Sequence, residues 1–168
     1  MTEAEWVARS YAALGEATAA FRGAKFFVAE MLCLTRLTGA RYAFVTVRDS
    51  QHAAQGYSLA FADGANPRTP FHYDLANTPC NAVLSGNAIS LPCDVSQQFP
   101  AARGIYSGYC AQPLHDEHGA VLGIIALADD KALGHVERLE ALLRLLAGRT
   151  AAELECQLNR RGIAAPAS

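Results

Sequence analysis

The sequence predicts an α+β domain, a central antiparallel β-sheet with N- and C-terminal helices packed on one face. Three observations predict it. Helix-period apolar residues occupy both ends of the chain. Strand-like runs fill the middle, with one helix signal inserted among them. Two of those runs meet across a short polar turn as a hairpin.

Residues 3–21 read as a helix, with Val7, Leu14 and Phe21 on one stripe, Trp6, Tyr11 and Ala17 near it, and Gly15 weakening it. Residues 22–38 read as a second helix through Phe26, Phe27, Met31, Leu34 and Leu37, stopped by Gly39. Residues 41–48 form a strand rich in aromatic and β-branched side chains, and a second strand spans about 55–62, ending at Asp63-Gly64. Asn66 to Pro70 reads as loop from its turn residues, and 71–75 as a third strand.

At Thr78 the grammar changes. Thr is a good N-cap, and Pro79 sits at the first helical position, where its missing N–H costs nothing. A short helix through Leu84 closes at Ser85-Gly86. Residues 88–92 suit a short strand and 94–104 look irregular. Residues 105–115 and 120–128 form the hairpin around a four-residue loop, Asp116 to Gly119. The longest helix runs from about Gly134 to Leu158, with Val136, Leu139, Leu143 and Leu146 on its main stripe. After Gly148 the stripe thins to Ala151, Leu154 and Leu158, a narrow seam that suits a short coiled coil. Residues 159–168 read as a disordered tail.

The chain has 168 residues, enough for one domain with a helical extension, and 51% of them are hydrophobic. Charged residues make up 18%, few for a free-standing surface, which hints that a second subunit or partner domain covers some of it. The net charge of −2 and the lack of a basic cluster argue against nucleic-acid binding. No apolar run is long enough to span a membrane, and the start lacks the pattern of a secretory signal. A cytoplasmic setting is expected, and the five cysteines, odd in number, do not suggest a disulfide framework.

Several motifs then fall in one order: Phe71-His-Tyr-Asp-Leu, Thr78-Pro79-Cys80, Phe99-Pro100, Tyr109-Cys-Ala-Gln-Pro113-Leu114, Gly119-Ala-Val-Leu-Gly123 and Ala147-Gly-Arg149-Thr-Ala-Ala152-Glu153-Leu154. Arg22-Gly23-Ala-Lys-Phe26-Phe27 and Arg41-Tyr-Ala-Phe-Val45 precede them. The chain resembles a GAF domain, a GAF/PAS-like sensory fold, and in particular a bacterial sensory and signal-transduction subgroup with a Thr-Pro-Cys motif. The resemblance covers about residues 22–158, leaving residues 1–21 as an N-terminal signalling or dimerisation helix. Where the subgroup carries Glu after Thr-Pro-Cys, this chain has Asn81, so a reciprocal capping box is not expected. Cys110 stands where an aliphatic residue is usual, and Ala111 where Gly is.

The candidate ligand-binding residues are Tyr73, Cys80, Cys93, Phe99, Tyr106, Tyr109 and Cys110. The tyrosines and Phe99 suit aromatic walls around a small ligand, and core packing explains them equally well. Cys80, at a helix start, suits a stabilised thiolate or a small buried hydrophobe. Cys80, Cys93 and Cys110 suit a converging thiol cluster, although no Cys-x-x-Cys spacing supports a metal. His115-Asp-Glu-His118 falls on a turn where polar residues belong anyway, and His72 suits a structural role better than a pocket wall. Metal and catalytic residues are expected to be none. No cofactor is identified, and signatures of cyclic-nucleotide, bilin and haem sites are missing.

The expected function is a non-catalytic sensor. It binds an unidentified small molecule or senses thiol redox state, and signals through its terminal helices to an output domain or partner, in two-component or cyclic-dinucleotide signalling. A homodimer through those helices is expected. The alternatives are a cysteine-dependent redox enzyme resembling the GAF-fold free methionine sulfoxide reductases, and a purely structural dimerisation module.

Overall fold

The structure is a computed structural model and describes residues 1–160. Helix α1 (Glu3–Thr18) opens with a capping box: the Glu5 N–H donates to Thr2 Oγ1 at 3.1 Å, and the Thr2 N–H donates to Glu5 Oε2 at 2.8 Å. It stops three residues before the expected end, because the chain must reverse at Gly23, which lies at φ +62°. Helix α2 (Ala24–Thr38) follows and ends as expected at left-handed Gly39.

Strands β1 (Tyr42–Arg48), β2 (Gln55–Asp63), β3 (Asn66–Arg68) and β4 (Phe71–Asp74) come next. The short helix α3 (Pro79–Leu84), strand β5 (Ile89–Leu91) and the single-turn helix α4 (Val95–Gln98) lead to a 3-10 turn at Pro100–Ala102. The hairpin β6 (Gly108–His115) and β7 (Val121–Asp129) is followed by α5 (Val136–Arg160).

Four expectations are corrected. The segment read as loop at 66–70 contains β3, where Pro67 faces Ala62 on an edge strand that needs no donor from it. The segment read as irregular at 94–104 holds α4 and the 3-10 turn. The hairpin loop has five residues, because Asp116 Oδ1 accepts the N–H groups of both His118 and Ala120 and holds a wider turn. Asn159 and Arg160, placed in the tail, are helical, and residues 161–168 lie outside the described residues.

The sheet is antiparallel throughout, in the order β3-β2-β1-β7-β6-β5, with β4 pairing the other half of β2. Strand alternation separates two cores. Ala43, Val45 and Val47 of β1 join Leu14, Phe27, Met31, Leu143 and Leu146 under α1, α2 and α5. Tyr42 and Phe44 of the same strand join Phe61, Tyr109 and Ile124 under α3 and the 95–106 segment. The terminal helices therefore share one face, as expected.

The seam at the end of α5 is also corrected. Leu154 and Leu158 are buried in the domain's own core, so they are not the free edge of a coiled coil. Space for Leu154 comes from Gly123, where a Cβ would lie 2.7 Å from the Thr46 carbonyl oxygen and 3.1 Å from Leu154.

Candidate functional site

The aromatic face encloses a cavity of about 290 Å³. Strands supply its floor and one wall: Phe44 from β1, Phe61 from β2, and Phe71 and Tyr73 from β4. The last two are two residues apart and so share a face. Helix α3 supplies Pro79 and Cys80, and the segment after the 3-10 turn supplies Ile105 and Tyr106. Gly56 lets β4 lie close, since a Cβ there would meet Leu75 at 2.9 Å and the Tyr73 ring at 3.2 Å.

Helix α3 is pinned over the sheet by short-range bonds. Thr78 Oγ1 donates to the Leu75 carbonyl at 2.7 Å and accepts the Asn81 N–H at 3.2 Å. As expected, Asn81 does not complete a capping box. Its Oδ1 instead accepts from Arg48 Nη2 at 3.2 Å, tying α3 to β1.

Of the predicted residues, Tyr73, Cys80 and Tyr106 line the cavity. Tyr109 lies fully buried beside it and donates its phenolic hydrogen to Cys80 Sγ at 3.1 Å. Tyr73 donates to Thr46 Oγ1 at 2.9 Å. The Tyr106 hydroxyl has no hydrogen-bond partner among the described residues. Burial holds all three phenols above their ordinary value, so they stay neutral. Phe99 packs at the margin of the aromatic core without lining the cavity.

The thiols do not converge. Cys110 adjoins Tyr109 on β6 and therefore faces the helices, where it lies 3.7 Å from Ser90 Oγ. Cys93 is exposed on a loop, 3.5 Å from Asp94 Oδ2. Burial pushes the Cys80 thiol up, outweighing the help of its tyrosine partners and of a six-residue helix. Burial raises Cys110 to about 11, and Asp94 raises Cys93. All five cysteines are free, and among the described residues no group of three or more His, Cys, Asp or Glu is arranged to hold a metal. His115 and His118 are exposed on the hairpin. His72 points away from the cavity toward Asp49, with Nε2 3.3 Å from its Oδ2.

Sequence reasoning missed Phe44, Phe61, Phe71, Arg68 and Ile105. Phe71 was two residues before a named wall residue on one strand, a period-2 signal. Arg68 was hidden in a segment read as loop. Its guanidinium carbon lies 4.9 Å from the Phe61 ring centroid, at the cavity's rim. A second hollow of about 360 Å³ lies on the helix face between Phe27, Leu154, Leu158 and the β1–β2 turn. Fewer aromatic rings line it: Phe27, Tyr57 and His72, against Phe44, Phe61, Phe71, Tyr73 and Tyr106 in the first.

No protein-family model matches the chain, and no curated protein does. Solved structures match it throughout. The GAF domain of a phosphoenolpyruvate-protein phosphotransferase from Coxiella burnetii gives a TM-score of 0.76 at 16% identity, covering 96% of this chain and 99% of that one. The corresponding domain from Acinetobacter gives 0.73 at 13%, covering 97% and 100%. Free methionine-R-sulfoxide reductase from Neisseria meningitidis, in complex with its substrate, gives 0.68 at 14%, covering 96% and 92%. The chain has the GAF fold.

Proposed function

We propose that this GAF-fold chain is a non-catalytic sensory module that takes a small molecule into the aromatic cavity and signals through its terminal helices to an output domain or partner. The observation that carries this reading is the cavity's position. It opens on one face of a sheet whose other face seats α1, α2 and α5. Strand β1 gives Phe44 to the cavity and Val45 to the helices, so a shift on one side is felt on the other. A ligand biases the helices only by its difference in affinity between two packings.

The solved neighbours include GAF domains taken from phosphotransferases, which supports an output lying outside the domain itself. A homodimer fits the exposed helix faces. Ala4, Ala8, Tyr11 and Gly15 on α1, and Leu145, Gly148 and Ala152 on α5, are exposed at spacings of three and four residues. Leu145→Glu is expected to turn a dimer into a monomer in analytical ultracentrifugation, and a wild type that sediments as a monomer would refute the dimer. The free cysteines suit the reducing cytoplasm.

The reductase neighbour gives the enzyme reading its one support. Sulfoxide reduction by thiols needs a thiolate nucleophile and a second thiol to resolve the intermediate. Here the cavity holds Cys80 alone, and burial keeps it protonated. No turnover of free methionine sulfoxide is expected with dithiothreitol as donor. Turnover abolished by Cys80→Ser would reverse this conclusion.

The sensory reading is tested by a melting-shift screen of metabolites against wild type and Ala102→Trp, which fills the cavity. At least one compound should stabilise the wild type and leave the variant unmoved. Equal shifts in both proteins would show that binding lies elsewhere.

A further inference from the structure

We infer that the ligand is a monocyclic aromatic acid, its ring held among the cavity's aromatic walls and its carboxylate at the mouth against Arg68. This rests on the cavity reading above and extends it to a ligand class.

Size sets the first limit. A volume of about 290 Å³ sits at the low end of ligand cavities, which run from roughly 300 to 1,000 Å³. One ring with short substituents suits it. A tetrapyrrole does not.

The walls set the second. Phe44 stacks on Phe61 with an interplanar angle of 10° and centroids 5.1 Å apart, and on Tyr106 at 17° and 6.3 Å. Phe71 leans on Phe61 at 57°. The stacked rings cover part of one another's faces, so a flat guest ring meets the walls mainly at their edges, an arrangement aromatic pairs favour. Ile105 stands half-exposed at the rim, an apolar side chain that such a guest would cover.

Charge sets the third. Among the described residues, Arg68 is the single cation lining the cavity. Its Nη2 donates to Asp63 Oδ2 at 2.6 Å, and its other N–H groups have no partner among the described residues. A guanidinium can bind a carboxylate through two parallel bonds. Its cation already lies over Phe61 and Tyr42, so a cationic guest would meet like charge at those ring faces. Asp74 also lines the rim and opposes an anion, but its side chain is exposed to water, which screens it. The Tyr106 hydroxyl, near enough to Arg68 to feel its charge, offers a neutral donor for a ring substituent.

Isothermal titration of four probes tests this: 4-hydroxybenzoate, its uncharged analogue 4-hydroxybenzamide, the cation tyramine, and the non-aromatic cyclohexanecarboxylate. Wild type should bind 4-hydroxybenzoate most tightly. Arg68→Gln should weaken that binding about tenfold while leaving 4-hydroxybenzamide unchanged, and Ala102→Trp should abolish both. Tighter binding of tyramine or cyclohexanecarboxylate, or indifference to Arg68→Gln, would overturn the aromatic-acid class. If no probe binds but another metabolite stabilises wild type and not Ala102→Trp, the class fails and the cavity reading stands. If probes bind Ala102→Trp as well as wild type, both fail.

Discussion

The two faces of the sheet are built from the same strands and differ in almost everything else. The helix face is mainly aliphatic and closely packed at its centre, with Met31, Leu34, Leu142, Leu143 and Leu154 all at or near zero exposure, and its hollow lies at the edge beside the β1–β2 turn and the end of α5. The other face is aromatic and leaves a cavity. Polar groups are handled differently too. On the aromatic face the phenols of Tyr73 and Tyr109 find neutral partners in Thr46 and Cys80. On the helix face a carboxyl is buried: Glu30 of α2 is 2% exposed, and Thr150 of α5 is its hydrogen-bond donor, 3.0 Å from both oxygens. One hydroxyl has one proton, so at most one of those oxygens is bonded by it at a time. Close packing at the centre of the helix face supports a scaffold, and the ring-walled cavity on the other face leaves room for a guest.

The largest expected effect separates the faces by stability. Leu143→Ala should cost about 2–5 kcal/mol, because its surroundings are fully packed. Phe71→Ala, at a half-buried cavity wall, should cost clearly less and instead impair binding. Urea denaturation of both variants measures this. Equal losses would mean that the cavity wall is part of a continuous rigid core.

The next effect is pH dependence on the helix face. Burial pushes the Glu30 carboxyl from 4.5 up to about 8, opposed only in part by Thr150 and the nearby Arg149. Arg149 also pairs with Glu153 at 3.1 Å, and Glu153 Oε1 accepts the Gly23 N–H at 2.6 Å. Between those two pH values the folded chain keeps a proton that the unfolded chain releases. This contribution to stability is full below pH 4.5 and is lost as pH rises toward 8, with a slope of at most about 1.4 kcal/mol per pH unit. Glu30→Gln should flatten that decline in denaturation midpoints taken from pH 5 to 8. Identical slopes in variant and wild type would show that Glu30 titrates normally.

Thiol accessibility gives a smaller contrast. Iodoacetamide under native conditions should label the exposed Cys93 and Cys156 within minutes, Cys93 the slower because Asp94 raises its thiol. Cys33, Cys80 and Cys110 are buried and should react only on unfolding. Peptide mapping reads this directly, and early labelling of Cys80 would reveal an open, reactive cavity. The smallest effect belongs to the surface: Arg144→Gln, which breaks an exposed pair with Glu140, should change stability by less than about 0.5 kcal/mol in the same urea assay.

Much of the fold could be read from periodicity and punctuation, because Thr78-Pro79, Gly39 and the apolar stripes act locally. The site was only partly legible, because it depends on which way each strand residue points. Tyr109 and Cys110 look equally eligible in the sequence, and one step of alternation sends them to opposite faces. Leu154 and Leu158 read as a free seam because nothing local announces that Gly123 leaves room for α5 to settle on the sheet. Arg68 and Glu30 depend on contacts between distant segments, which periodicity does not encode.

Hydrogen-exchange mass spectrometry of the wild type, with and without the tightest compound from the screen, tests the central claim most directly. Protection is predicted in residues 71–80 and 100–106, accompanied by altered exchange in α1 and α5 across the sheet. Protection confined to residues 47–50 and the end of α5, with the aromatic face unchanged, would place the ligand in the helix-face hollow and contradict the sensory role assigned to the cavity.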